Sequence, residues 1–288
     1  MDAVLLGVLA GVLFGGMTVA VRSGLGRGAD AATGAAVIAS TAFATSVALA
    51  LPSLLADVSF DELWPFFAIG LLVPGSSQIV FVLAIRHAGP SRAGILVGTA
   101  PLLSVLLAIA LLDEPVRPWL LVGTALVVAG GATLVADRGR PVGYRRLGIV
   151  LALVCATLFA LRDNAVRFAA EDVDPAPLQA SAASLAAAAL ITAVYAAHRR
   201  ARVTPGRLGP AVRAFAPAGV LLGFAYGALV TGFDRGDVGI VAPLNATQSL
   251  WAVVFAALLY RHTEAIGQRT FLAGVLVVAG GALIGVTR

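Results

Sequence analysis

The chain has 288 residues, of which 59% are hydrophobic and 12% charged, and its mean hydropathy is +0.95. Roughly 25% charge is usual in a soluble domain, so a water-soluble globular protein is excluded if the uncharged runs reach the roughly 20 residues that cross a bilayer as helix. The net charge of +5 comes from twenty Arg and no Lys against fifteen acids; the Arg sit in short connections between apolar runs, which reflects membrane topology and argues against a nucleic-acid-binding face.

Uncharged runs of spanning length predict ten helices, α1 to α10. α1 covers 3–21; Met1 and Asp2 supply no positive n-region, so this run reads as a mature span and not as a secretory signal. α2 covers 31–51. α3 covers 64–85 and holds Pro74, Gly75, Ser76, Ser77 and Gln78 at its centre, where proline removes a ladder bond and exposes a carbonyl; a kinked helix facing a cavity is expected. α4 covers 93–112 and α5 covers 118–136. α6, at 148–169, differs from the others in carrying Arg162, Asp163, Asn164 and Arg167. α7 covers 177–197, and α8, at 214–233, carries Tyr226 near its middle. α9 covers 238–260 with Pro243, Asn245, Thr247, Gln248, Ser249 and Trp251, and α10 covers 269–286. The connections are too short to fold as separate domains.

The chain is duplicated. Leu126 to Ala132 and Leu276 to Ala282 both read LVVAGGA, and the same offset of 150 superimposes Glu114 on Glu264. Near the start of each half, LFGGMTVAVR from Leu13 aligns with LFALRDNAVR from Leu158. An odd number of helices per repeat makes the second copy enter the membrane from the opposite side. The expected fold is therefore an all-α integral membrane protein of ten transmembrane helices in two inverted five-helix repeats, 1–136 and 148–288, joined by a basic connection at 137–147. Such repeats are transporter architecture, because two pseudo-equivalent halves can open a shared cavity to either face at similar energy.

Fifteen Arg fall in the first, third, fifth, seventh and ninth connections and three on the opposite face. Positive charge stays cytoplasmic, so this bias places both termini outside. Trp64, Trp119, Tyr195 and Tyr260 lie at helix ends and read as interfacial anchors. Glycines repeat every four residues at Gly7, Gly11 and Gly15 and at Gly219, Gly223 and Gly227, a pattern of close helix packing. Glu114 and Glu264 read as stabilising the positive N-termini of α5 and α10.

Polar groups within apolar helices cost free energy unless paired or wet. Arg162, Asp163 and Asn164 lie in the last third of α6, and Asp163 can pair with Arg167 four residues on. Arg162 then either snorkels to the interface or binds a ligand, and its repeat-equivalent stretch, Met17, Thr18 and Val19, indicates that packing of this helix does not itself require charge. Asn245 and Gln248 share a face of α9 and point inward, as interhelical glue or as ligand contacts. Tyr226 and Trp251 need a buried partner, a cavity water or a ligand. The candidate substrate-binding set is Gln78, Arg162, Asp163, Asn164, Tyr226, Asn245, Gln248 and Trp251. Cys155 is the sole cysteine, and His87, His198 and His262 fall in loops, so neither a metal constellation nor a catalytic motif is expected, and no cofactor.

These elements resemble the drug/metabolite transporter superfamily, specifically its ten-helix EamA-like members, over nearly the whole chain. The resemblance rests on the five-helix duplication, GTAPLLSVLLAIALLDEP from Gly98, VAPLNATQSLWAVVFAALLYRHTE from Val241, and the repeated LVVAGGA. It implies export of small metabolites, amino acids or their analogues among them, through a central cavity in the inner membrane, driven by protons or by exchange. It also implies cytoplasmic termini and a basic second connection, whereas this second connection holds only acids; the arginine count is the better guide for this chain. The alternative is a non-transporting membrane scaffold or lipid-handling subunit, in which the same polar residues would pack against other side chains.

Overall fold

A computed structural model describes residues 2–27, 30–100, 102–103, 118–136, 145–169, 175–199, 205–235, 241, 244–260 and 267–286. Every regular element among them is helical, as expected of a backbone whose polar groups must be satisfied without water. α1 runs Ala3–Gly26, α2 Ala31–Ala56, α5 Pro118–Ala136, α6 Leu147–Ala169, α7 Pro177–His198, α8 Pro205–Arg235, α9 Gln248–Tyr260 and α10 Gln268–Val286. α3 consists of two arms, Phe60–Gly70 and Ser77–Ala88, on either side of a break at Leu71–Ser76, and the described helix of α4 is Pro90–Val97. Pro243, Glu114, Glu264 and the C-terminal part of the predicted α4 lie outside the described residues.

Several helix ends extend beyond the uncharged runs. α8 takes in Arg207 and Arg213, and His87 and His198 occupy the last turns of α3 and α7, not loops. Arg92 is buried in the first turn of α4. The reason is the corner between α3 and α4: Gly89, at φ 85°, turns the chain in one residue, and Pro90 starts the next helix at once.

The exterior is apolar where a soluble protein would be charged. Leu55, Phe60 and Leu258 are exposed at 79%, 81% and 71%, a surface that only lipid can satisfy. By length and composition, five described helices can cross a membrane: Ala3–Gly26, Ala31–Ala56, Phe60–Ala88, Pro177–His198 and Leu208–Arg235. Trp64 and Trp119, at helix ends, are exposed, as interfacial anchors should be.

The core lies between the halves. α1 packs on α8 and α9, and correspondingly α6 packs on α3 and α4. α2 packs on α8, and α7 on α3; α2 meets α7, α4 meets α9 and α5 meets α10. Exchanging each helix for its counterpart five places along the chain regenerates this set of pairings. The two repeats are thus related by a pseudo-twofold operation, inverted because five crossings separate them.

Small residues let these interfaces close. A Cβ added at Gly7, Gly11 or Gly15 would stand 3.0 Å from Leu244 Cβ, 2.6 Å from Thr247 Oγ1 and 2.5 Å from Trp251 Cβ. Added at Gly219 or Gly223 it would meet Thr41 Cβ at 2.6 Å or Thr45 Cβ at 2.7 Å. The stripes are therefore packing faces, with α1 seated on α9 and α8 on α2. Gly227 is looser, its nearest neighbour being Leu178 Cδ2 at 3.4 Å. Buried hydroxyls and amides add bonds across the same boundary. Ser46 and Ser181 hydroxyls lie 3.0 Å apart between α2 and α7, and the Gln179 amide donates to the carbonyls of Ser53 and Asp57 at 2.9 and 2.7 Å, closing the C-terminal end of α2.

Candidate functional site

The break in α3 begins with Pro74, which has no N–H to give the ladder; Val73 before it leaves the helix at φ −140°, ψ 120°. Carbonyls around the break are met by hydroxyls. Ser76 donates to Leu71 at 2.9 Å, Ser77 to Pro74 at 3.3 Å, and Tyr226, from α8, reaches the Val73 carbonyl at 3.5 Å. On the outer side, Ser184 of α7 donates to the Phe66 carbonyl at 3.0 Å. The expected kink facing a cavity is present, and its irregular backbone is held by protein on both sides.

Against the break lies a cavity in the boundary between the repeats. Its walls come from α1, α3 and α4 of the first half and α6, α8 and residues 245 and 248 of the second. The lining obeys the pseudo-symmetry. Phe14 and Met17 are the repeat equivalents of Phe159 and Arg162, at an offset of 145, and all four line it. The volume open to the centre of a water molecule is about 40 Å³, room for a few waters and too little for an organic solute.

Five of the candidate residues converge here: Gln78, Arg162, Tyr226, Asn245 and Gln248. Arg162 stands fifteen residues into α6, roughly 22 Å along it, yet is only 8% exposed. Its guanidinium lies 5.2 Å from the centroid of the Phe159 ring, a cation–π contact. It faces the cavity and does not snorkel. Gln78 is 4% exposed. Among the described residues, the Gln78 Nε2 and Asn245 Oδ1 atoms are buried with no hydrogen-bond partner, a donor and an acceptor on the walls of one cavity.

Of the remaining candidates, Trp251 stands apart from it. Trp251 lies on the α1-facing side of α9, its Cβ against Gly15 and its ring stacked on Phe255 with centroids 5.8 Å apart; it is absent from the cavity wall. The line Leu244, Thr247, Trp251 is spent on the glycine stripe of α1, which leaves Asn245 and Gln248 for the interior. The side chains of Asp163, Asn164 and Arg167 lie outside the described residues. Ser249 is interhelical, its hydroxyl donating to the Gly94 carbonyl at 3.0 Å. Sequence reasoning missed Phe14, Met17, Ser77 and Phe159. The repeat register held the signal: a wall residue at 162 implies one at 17, and the conserved spacing carries the Phe three residues before each. No group of three or more His, Cys, Asp or Glu that could hold a metal occurs among the described residues.

Comparison with known proteins agrees with this architecture. The chain matches the model of the EamA-like transporter family over residues 1–136 and 146–286. No curated protein matches it in sequence. One similar crystal structure has 24% identity and a TM-score of 0.65, covering 98% of this chain and 95% of its own; at that identity the likeness speaks for the fold.

Proposed function

The chain belongs to the EamA-like transporter family, and on that premise we propose that this multi-pass membrane transporter carries a small, carboxylate-bearing, amino-acid-like metabolite through the cavity between its repeats. The observation that carries the reading is the pair of orphaned polar atoms, Gln78 Nε2 and Asn245 Oδ1, on the same wall system as the buried Arg162 guanidinium. Unmade hydrogen bonds in a buried site cost free energy, and a solute with an anionic group and a donor would supply them. A carboxylate suits Arg162 with Gln78, and an ammonium or hydroxyl suits Asn245.

In the described conformation the cavity is too small for such a solute, so binding requires the helix sets α1, α3, α4 and α6, α8, α9 to part. Because the wall is pseudo-symmetric, parting toward one membrane face has a near-equivalent toward the other, which is the requirement of alternating access. We place the protein in the inner membrane and assign it net export, driven by a proton or by exchange. Asp163 is the acid proposed to take up that proton.

The experiment is a thermal-stabilisation screen of the purified protein against a metabolite library, followed by uptake into proteoliposomes. Carboxylates with a nearby donor should stabilise the native chain and be transported, and replacement of Arg162 or Gln248 should weaken both effects. Stabilisation undiminished by both replacements would overturn the site. If the Asp163→Asn variant kept proton-driven transport unchanged, the proton assignment would fail.

A further inference from the structure

A second cavity opens near the arginine-rich ends of α1, α8 and α9. The space open to water centres there is about 470 Å³, over ten times that of the central cavity. Its walls are mostly apolar, with Val19 and Ala20 from α1, Pro217 from α8, and Phe255 and Leu259 from α9, and with Ser23 as a polar member. Leu259 is 69% exposed, so the groove is open on the lipid side. Gly16 is part of the lining and lies outside the packing stripe of α1. A Cβ there meets nothing closer than Leu221 Cδ1 at 3.6 Å, whereas at Gly15 it would stand 2.5 Å from Trp251 Cβ. The absent side chain at Gly16 leaves a small hollow, in which a Cβ would make ordinary contacts with Leu221 and Phe255.

The mouth of the groove carries charge. Arg27 is part of its lining and exposed. Arg213, also exposed, stands one helical turn before Pro217 on the same face of α8. Tyr260 completes the rim at the level where aromatic side chains meet headgroups. An apolar slot with one cation in its lining and a second one turn before Pro217 along α8 has the chemistry of one ligand class. We infer that this groove is a binding site for an anionic phospholipid, with an acyl chain against Gly16 and Ala20 and the headgroup phosphate at Arg27 and Arg213. A cation near an anionic headgroup gains an attraction that a zwitterionic headgroup does not offer, so the pair selects for anionic lipid.

The test is native mass spectrometry of the full chain in detergent, after incubation with dioleoyl phosphatidylglycerol or dioleoyl phosphatidylcholine. The expected result is one retained phosphatidylglycerol, preferred about tenfold or more over phosphatidylcholine. The double variant Arg27→Gln, Arg213→Gln should lose most of that preference, and Gly16→Leu, which fills the hollow, should lower retention of both lipids. Should Gly16→Leu fail to fold, the exposed arginine pair decides alone. Equal retention of the two lipids, unchanged retention in the arginine variant, or equal stabilisation by inorganic phosphate without lipid would overturn the proposal. So would a dimer that closes the groove in place of lipid.

Discussion

The Ser249 hydroxyl donates to the Gly94 carbonyl at 3.0 Å, tying α9 to α4 at the point where the two repeats cross. Each chain departs from helix nearby, α4 at Gly98–Thr99 and the approach to α9 at Thr247. A Cβ on Gly98 would collide with the Ser249 oxygen, so the absence of a side chain at 98 and the hydroxyl at 249 fit only together. Gly98→Ala should therefore destabilise by about 1–3 kcal/mol, and Ser249→Ala by only about 1. Combining Gly98→Ala with Ser249→Ala should recover part of the loss, because the second change relieves the clash. Chemical or thermal unfolding in detergent measures all three.

Neighbouring glycines on α1 should respond in opposite ways. Gly15→Ala drives a methyl into Trp251 Cβ and the Ala252 backbone nitrogen, at 2.5 and 3.0 Å, and should cost about 1–3 kcal/mol; Gly16→Ala meets nothing within 3.6 Å and should be close to neutral. Melting temperatures of the two variants, compared with the native chain, decide it.

Gln78 offers a separation of stability from function. Its Nε2 atom is buried without a partner among the described residues, so Gln78→Met should leave solute-free stability unchanged or raise it by about 1 kcal/mol. The same variant should weaken solute binding several-fold. A glutamine that merely held helices together would show the reverse: lower melting temperature and unaltered affinity.

At Arg162, loss of a charge-assisted bond to a carboxylate is worth about 1.5–3 kcal/mol, so Arg162→Gln should reduce affinity by about tenfold to a hundredfold. Arg162→Lys should recover part of it, as a point charge without the fork geometry. Binding to the purified protein, with unfolding as the control for structure, reads the effect.

Gln179 closes the C-terminal end of α2 through two backbone carbonyls. Gln179→Leu removes both bonds, although the Ser53 carbonyl keeps the Asp57 N–H at 3.2 Å, and should cost about 1–2 kcal/mol, seen as a lower melting temperature. Because Gln179 is not among the wall residues of the cavity, solute affinity at low temperature should be preserved.

Much of this architecture was legible in the amino-acid order. Runs of uncharged residues of bilayer length are a one-dimensional property, and so is duplication, since LVVAGGA recurs in register. The inward direction of Gln78, Asn245 and Gln248 also followed from the cost of placing amides in hydrocarbon. The glycine stripes announced close packing but not the partner: that Gly7, Gly11 and Gly15 receive α9 while Gly219 and Gly223 receive α2 is a matter of which helices meet.

Only the tertiary structure divided the polar residues between cavity and interface. Trp251 and Gln248 lie one turn apart on α9, yet the first is committed to Gly15 and the second lines the cavity. Arg162, free by sequence to snorkel or to face inward, is buried because the wall opposite it comes from the other half of the chain. The physical reason is common to both cases. Periodicity fixes a side chain's direction around its own helix axis, but what that direction meets depends on contacts between segments about 150 residues apart, whose pairing follows from packing the two repeats against each other.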